Sequence, residues 1–379
     1  MRRALIFILL LIGVELKAQD SISVIGVERA VQDPISVVEQ PEKTSWLKRV
    51  IRGFSYIDTN YVEPQHYNWS VMMQATYNYD LYSLSAVGGN GHSITFSTTP
   101  TIKVGPYFGW RWVFLGYTID LRHVNITRNT KTFDFSFYSA QIGADIYYRR
   151  TGSDYEIRNL DLGRAVSTRA LEGVLFDGIN VGITGITAYY IFNHQRFSYP
   201  AAFNQSTCQK ISCGSWMAGL GYLRNSISFD YNKLQELIDQ RTVGEDVSLD
   251  DGLKFNSVKH LDVSFSLGYG YNWVFAKNWL LAGSLSMALA YKSTRSESDG
   301  SEPHLNLSVF KMSNLNIDGI GRFGLVWNNT RWYAGTSAIV RVYNYKQDRI
   351  AAHNIFGSLN IYAGYNFGAR SAYKTKGKK

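Results

Sequence analysis

The stretch VKHLDVSFSLGYGYNWVFAKNWLLAGSLSMALAY, residues 258–291, decides the fold. In its first half Leu261, Val263, Phe265, Leu267, Tyr269, Tyr271, Trp273 and Phe275 share one parity. His260, Asp262, Ser264, Ser266, Gly268, Gly270 and Asn272 share the other. In the second half Trp279, Leu281, Gly283, Leu285, Met287, Leu289 and Tyr291 alternate with Leu280, Ala282, Ser284, Ser286, Ala288 and Ala290. Side chains on a strand point to opposite faces with period two, so each run has one greasy face and one small or polar face. Only Ala276, Lys277 and Asn278 separate the runs, which makes them an antiparallel hairpin. Trp273, Phe275 and Trp279 crowd its turn, an arrangement suited to a membrane interface.

Length separates a soluble sandwich from a membrane barrel. Soluble strands run to about 5–6 residues, and roughly 9–11 residues cross a bilayer. The first run alternates for longer than either. A soluble protein would need a second sheet over that face, whereas a closed barrel needs only lipid and leaves no unpaired edge.

The rest of the chain fits the barrel. Arg2 and Arg3 precede the apolar run Ala4 to Val14, and Leu16-Lys17-Ala18-Gln19 follows. These are the parts of a cleaved signal peptide over residues 1–19. No later run reaches the roughly 18 apolar residues of a membrane helix. Secretion without a helical anchor points to the outer membrane of a Gram-negative cell. Hydrophobic content of 45% with mean hydropathy of −0.17 follows when every second strand residue is small or polar. The net charge of +9 partly reflects the basic tail, residues 368–379, with Arg370, Lys374, Lys376, Lys378 and Lys379. No basic motif is interleaved with aromatics in the manner of an RNA-binding module, so nucleic acid is not an expected partner.

Residues 20–66 read as a periplasmic N-terminal segment, with either an amphipathic helix near 42–54 or a mobile linker. Residues 67–367 read as an up-and-down, all-β transmembrane barrel of about 12 strands, within 10–14. Strands are expected near 67–85, 93–108, 113–122, 132–148, 179–192, 214–223, 226–232, 258–275, 279–291, up to 327, 331–344 and 354–367. The fourth switches parity between Phe137 and Ala140, which a bulge explains, and Arg224-Asn225 turns strand six into strand seven. Tight turns then alternate with longer connections, and residues 149–178 are the exception, long where a short periplasmic turn is expected.

Several blocks resemble a known family: DTNYVEP (58–64), VGPYFGWRWVFLGYTIDL (104–121), YYIFNHQRFSYPAAFNQS (189–206), YNWVFAKNWLLAGSLSMALAYK (271–292) and NIDGIGRFGLVWNNTRWYAG (316–335). They are similar to the domain-of-unknown-function 4421 family of secreted, predicted outer-membrane proteins. The resemblance spans roughly residues 55 to 367. It implies a membrane barrel, and it implies no activity and no functional residues.

Chemistry is sought on the inward parity, which carries Asp120, Arg122, Asp230, His260, Asp262, Asp318, Arg322 and Arg341. Unpaired buried charge is costly, so a network of ion pairs inside the lumen is one reading. A selective pore lined by these charges is the other. The small residues Gly268, Gly270, Ala282, Ser284, Ser286, Ala288 and Ala290 leave room for water or for bulky partners such as Tyr333, Tyr343 and Tyr362. A lipid-modifying enzyme, of lipase or acyltransferase type, is the alternative. Its weak candidates are His194 and Ser198, at the expected outer end of strand five. The loop FSYPAAF (197–203) either binds a ligand or folds inward to seal the lumen. Cys208 and Cys213 form a local disulfide or stay free thiols. No Cys/His spacing suggests a metal, and no glycine-rich loop between strand and helix suggests a nucleotide cofactor. The expected partners are outer-membrane lipid and small solutes or an extracellular or periplasmic ligand. Function reduces to a passive pore or a structural and interaction barrel.

Overall fold

The computed structural model describes residues 57–110, 113–116, 119–120, 131–151, 155–163, 166–241, 248–296, 312–347 and 350–373. The signal segment, the 42–54 stretch and Arg122 lie outside the described residues. In chain order the strands are β1 (Val62–Pro64), β2 (Tyr67–Ala86), β3 (Ser93–Thr98), β4 (Thr101–Trp110), β5 (Val113–Gly116), β6 (Ile119–Asp120), β7 (Lys131–Tyr138), β8 (Ile142–Thr151), β9 (Tyr155–Asp161) and β10 (Leu175–Phe176). They continue as β11 (Ile179–Ile191), β12 (Thr207–Gln209), β13 (Cys213–Phe229), β14 (Ser257–Ala276), β15 (Trp279–Ser296), β16 (Leu315–Asn328), β17 (Trp332–Gln347) and β18 (Ile350–Ala369). Two α-helices are described, α1 (Tyr199–Phe203) and α2 (Tyr231–Arg241).

Sixteen strand segments form one antiparallel sheet. β3 with β4 are pieces of a single stave broken at Thr99-Pro100, and β5 with β6, both paired with β4, are counted as another. β9 and β10 form an added hairpin. Twelve staves remain, and β2 pairs with β18 to join first to last. Among the described residues the outer edges of β5/β6 and of β7 are not paired with each other, so the sheet is not closed there. At the other end of those staves β9 runs on from β8 and pairs with β3, which bridges the seam.

Two boundary expectations are corrected. Residues 132–148 are not one bulged strand but the hairpin β7–β8, whose turn is closed by Ser139 Oγ and the Ser139–Ile142 backbone bond. Arg224-Asn225 is not a turn: Asn225 pairs with Ile183 on one side and His260 on the other within unbroken β13. The errors cancel in the count but shift the sidedness. Residues 152–178 move to the end of the long loops and cease to be an exception. Residues 192–212 move to the end of the short turns, where both β2 and β18 have their outer limits.

The outward face is apolar over a membrane's depth. Along β14 the exposed residues Val263, Phe265, Leu267, Tyr269, Tyr271, Trp273 and Phe275 alternate with buried or half-buried ones. At about 3.3 Å per residue and a tilt near 40° that run rises roughly 30 Å, about a bilayer's hydrocarbon thickness. Trp46 and Trp112 aside, every tryptophan lies at the short-turn end: Trp69, Trp110, Trp216, Trp273, Trp279, Trp327 and Trp332. No described helix is long and apolar enough to cross a membrane.

The interior differs between ends. At the long-loop end an apolar core fills the barrel, with Tyr82, Leu84, Ile94, Phe96, Tyr155, Ile157, Val181, Ile183, Ile227 and Phe229 all buried. α2 closes it from above with Leu234 and Ile238. Each such side chain contributes on the order of 1.5–3 kcal/mol by leaving water. Asp250 pins the β2–β3 turn, accepting from Asn90 N at 3.2 Å and His92 N at 3.0 Å. Gly89 has φ +65 there, and a Cβ on it would meet Asp250 Oδ1 at 2.9 Å.

Inward tyrosines lie flat across glycines opposite them in register: Tyr189 on Gly143, Tyr147 on Gly185, Tyr333 on Gly364 and Tyr362 on Gly335. A Cβ at Gly364 would stand 2.2 Å from the Tyr333 ring. Gly283 faces outward and a Cβ there meets nothing within 4 Å. Gly364→Val is expected to lower folding stability by about 1–3 kcal/mol through overpacking. Gly283→Ala is expected to change it little, and urea titration of heat-modifiable folding on gels compares the two.

Candidate functional site

β8 is the fifth stave, and its inward side chains reach the opposite wall. Asp145 pairs with Arg322 on β16, five staves away. Tyr147 Oη meets Tyr343 Oη on β17, six staves away, at 2.7 Å. Arg149 pairs with Asp80 on β2 and lies 5.0 Å from the Phe356 ring centroid on β18. About eight strands give an interior that side chains just fill, and the diameter grows with strand number. Twelve staves with direct contacts between opposite walls therefore form a flattened section.

These charges are held rather than displayed. Asp145 accepts from Ser136 Oγ at 2.6 Å and Tyr138 Oη at 3.3 Å. Arg322 donates to Tyr199 Oη at 3.2 Å and lies 5.3 Å from the Tyr189 ring centroid. Arg341 lies 5.0 Å from the Tyr147 ring centroid. A second cluster sits one layer towards the long loops. Lys292 Nζ stands 3.1 Å from Asp318 and 3.5 Å from Asp262, and donates to Asn344 O at 2.6 Å. Asn344 N also donates to Asp318 Oδ1 at 2.9 Å. His260 stacks on Tyr345 with centroids 4.8 Å apart and planes 4° from parallel.

The structure thus brings Asp262 and Asp318 together, places His260 beside them, and sets Arg322 and Arg341 around β8. Asp230 is elsewhere: it caps α2, accepting from Lys233 N at 3.1 Å, and does not line the lumen. Asp120 ends β6, and its side chain lies outside the description, as does all of Arg122. The sequence reading missed Lys292, Asp145, Arg149 and Asp80. Lys292 is one further step along the even parity of β15 beyond Ala290, and Asp145 opposes outward Ile146, so both were readable once the strands were set correctly.

At the short-turn end residues 192–212 fold into the barrel. Ser198 Oγ caps α1 by accepting from Ala201 N at 3.3 Å, and Pro200 occupies its first turn. Tyr199 Oη meets Ser284 Oγ at 2.8 Å, Gln205 Nε2 donates to Tyr362 Oη at 2.6 Å, and Phe197 packs against Gly270. The room left by the small residues of β14 and β15 is therefore taken by Phe197 and Tyr199 of this loop. Tyr333 and Tyr362 lie over glycines of adjacent strands instead. β12 then pairs with β1, so the chain entering the barrel is stitched to the inserted loop.

His194 and Ser198 lie at this end and not at the long-loop end. The Ser198 hydroxyl is also 2.6 Å from Thr207 Oγ1, so its bonds go to the cap and to β12. Cys208 and Cys213 are free thiols, not a disulfide. Asn193 Nδ2 donates to Cys213 Sγ at 3.1 Å. Among the described residues no three His, Cys, Asp or Glu side chains stand where they would hold a metal ion.

A family model described as "Domain of unknown function (DUF4421)" matches residues 56–367. No curated protein matches the chain. Among solved structures, the outer membrane protease OmpT of Escherichia coli is 8% identical with a TM-score of 0.32, over 79% of this chain and 97% of its own. The translocator domain of autotransporter NalP from Neisseria meningitidis is 12% identical with a TM-score of 0.29, over 85% and 94%. The Pseudomonas putida toluene transporter TodX is 9% identical with a TM-score of 0.25, over 78% and 89%.

Two outcomes follow from this geometry. Removing one partner of a buried ion pair strands the other, at about 3–5 kcal/mol. Arg322→Met should cost that much in urea unfolding, and adding Asp145→Asn should restore most of it. The second concerns β1. Burial acts to raise the Glu63 carboxyl, but hydrogen bonds from His66 and Lys210 outweigh it and hold it below its ordinary 4.5. A lowered carboxylate contributes stability above its unfolded value and loses it as pH falls through the folded one. Amide protection factors over residues 58–63, with each rate normalised to the intrinsic rate at its pH, should therefore be high at neutral pH and fall below about pH 4.5, and Glu63→Gln should flatten that dependence.

Proposed function

We take as premise that the chain belongs to the DUF4421 family, whose description assigns no chemistry, and we propose that it is an outer-membrane barrel of a Gram-negative cell that is occluded at rest. Its short-turn end faces the periplasm and its long-loop end faces outward, the usual habit of such barrels. The roughly 30 Å apolar belt and the tryptophans at one end support the membrane placement. Delivery is by the cleaved leader at residues 1–19.

The role is that of a structural and interaction barrel, anchored in lipid and presenting folded ends, rather than a standing passive pore. One observation carries this: Asp145–Arg322 and Tyr147–Tyr343 join opposite walls directly. The apolar core at the long loops and the inserted loop at the short turns add two further layers across the same path. Nothing favours the lipid-modifying enzyme over this reading, because the hydroxyl of Ser198 serves the α1 cap.

Planar-bilayer recording of the purified full chain tests the reading. Wild type should give no discrete conductance steps. Steady single-channel steps from wild type would sink it, and so would a chain that stays soluble without detergent.

A further inference from the structure

At the short-turn end a cavity of about 290 Å³ opens between two hairpin turns and the inserted loop. One wall is the β14–β15 turn with Lys277 and Asn278, and the other is the β16–β17 turn with Asn329 and Thr330. β12 forms the third side. The floor is apolar: Ala201, Leu280 and Val326 belong to one buried cluster. Small-molecule sites are commonly cavities of this kind, at the lower end of roughly 300–1,000 Å³, with an apolar body and a few placed polar groups.

The walls are built in advance. Asn328 N donates to Asn278 O at 2.9 Å and ties the two turns together. Asn328 Nδ2 donates to Gln205 O at 3.4 Å and ties the wall to the loop. Thr330 N returns to Asn328 Oδ1 at 2.8 Å. Only three non-glycine residues among those described have positive φ, and two of them line this cavity: Asn278 at 67° and Thr330 at 73°. For the β-branched Thr330 that conformation is strained, and strain persists where the surroundings impose it, often at ligand clamps.

The charge at the mouth is unequal. Glu63 is already satisfied by Lys210 at 3.2 Å and His66 at 2.7 Å. Lys277 is exposed at the tip of its turn and makes no ion pair among the described residues. Among the described residues the rim therefore offers one cation outside an ion pair, above a greasy floor.

We propose that this cavity binds a small amphipathic monoanion, a carboxylate head at Lys277 with a short apolar body of about five carbons on Ala201, Leu280 and Val326. The inference does not depend on whether the barrel conducts. Such a ligand touches both the wall turns and β12, so binding also fixes the inserted loop against the wall.

Isothermal titration calorimetry on the full chain in a non-ionic detergent tests it, with hexanoate as the probe and hexylamine and hexanol as controls. Hexanoate should bind, hexylamine should not, and hexanol should bind more weakly. Loss of a hydrogen bond to a charged group at a partly wet site costs about tenfold in affinity. Lys277→Gln should therefore weaken hexanoate about tenfold. Lys277→Arg should keep most of it, and Lys254→Gln at the opposite end should leave it unchanged. Equal binding of hexanoate and hexylamine overturns the site, as does a Lys277→Gln titration that matches wild type or a Lys254→Gln titration that weakens as much. No heat from hexanoate with wild type overturns it too.

Discussion

The pairing of Asp145 with Arg322 across the lumen is the constraint on which the remaining interior depends. It draws β8 against β16 and flattens a twelve-stave section that would otherwise enclose more space. Two buried charges of opposite sign are expensive to desolvate, and their attraction repays that only when further hydrogen bonds complete them. Here Ser136 and Tyr138 complete Asp145, while Tyr199 and the ring of Tyr189 attend Arg322. Because Tyr199 comes from the inserted loop, the wall-to-wall pair and the closure at the short turns are one assembly. The same stave then carries Tyr147 and Arg149, whose partners on β17, β2 and β18 extend the contact towards the long loops.

The interior is layered by polarity. Aromatic residues and the α1 loop occupy the short-turn third, charge networks the middle, and an aliphatic and aromatic core the long-loop third. The middle layer needs fixed geometry because its groups cannot be left single. The outer two, the inserted loop with its aromatic neighbours at one end and the apolar core at the other, are closely packed and exclude water from it. Lys292, between Asp262 and Asp318, is the hub of the second charge cluster. It is held by acceptors from β14, β16 and β17, so it links neighbouring staves, whereas Arg322 links opposite ones.

Much of the architecture was readable from residue order. The alternation in residues 258–291 marked the hairpin and its lipid face, since period two admits one assignment of faces when one of them is greasy; the pairing register, with its bulge between Val274 and Ala276, came from the turn geometry. The turn at Ser139–Gln141 was not readable, because Ser-Ala-Gln lacks the Gly, Asn or Asp that marks a turn, and the parity change resembled a bulge. Arg224-Asn225 misled in the opposite sense: Asn signals a turn, yet Asn225 is a buried rung between Ile183 and His260. Those two departures leave the count at twelve and reverse the sidedness of residues 192–212, which carries His194 and Ser198 to the short-turn end. For Asp230 the inward parity held only until the strand ended, and the residue became a helix cap.

Residue order alone determined which face of each long strand meets lipid, because burial pattern and period are local properties. It also determined that charge would lie on the inner parity. Only the tertiary structure decided what that charge does. Whether Asp145 faces water or Arg322 depends on how far the opposite wall stands, and that distance is set by the chain between them, 177 positions apart in sequence, and a loop that folds back into the barrel. Sequence parity says inward; the partner across the lumen says closed.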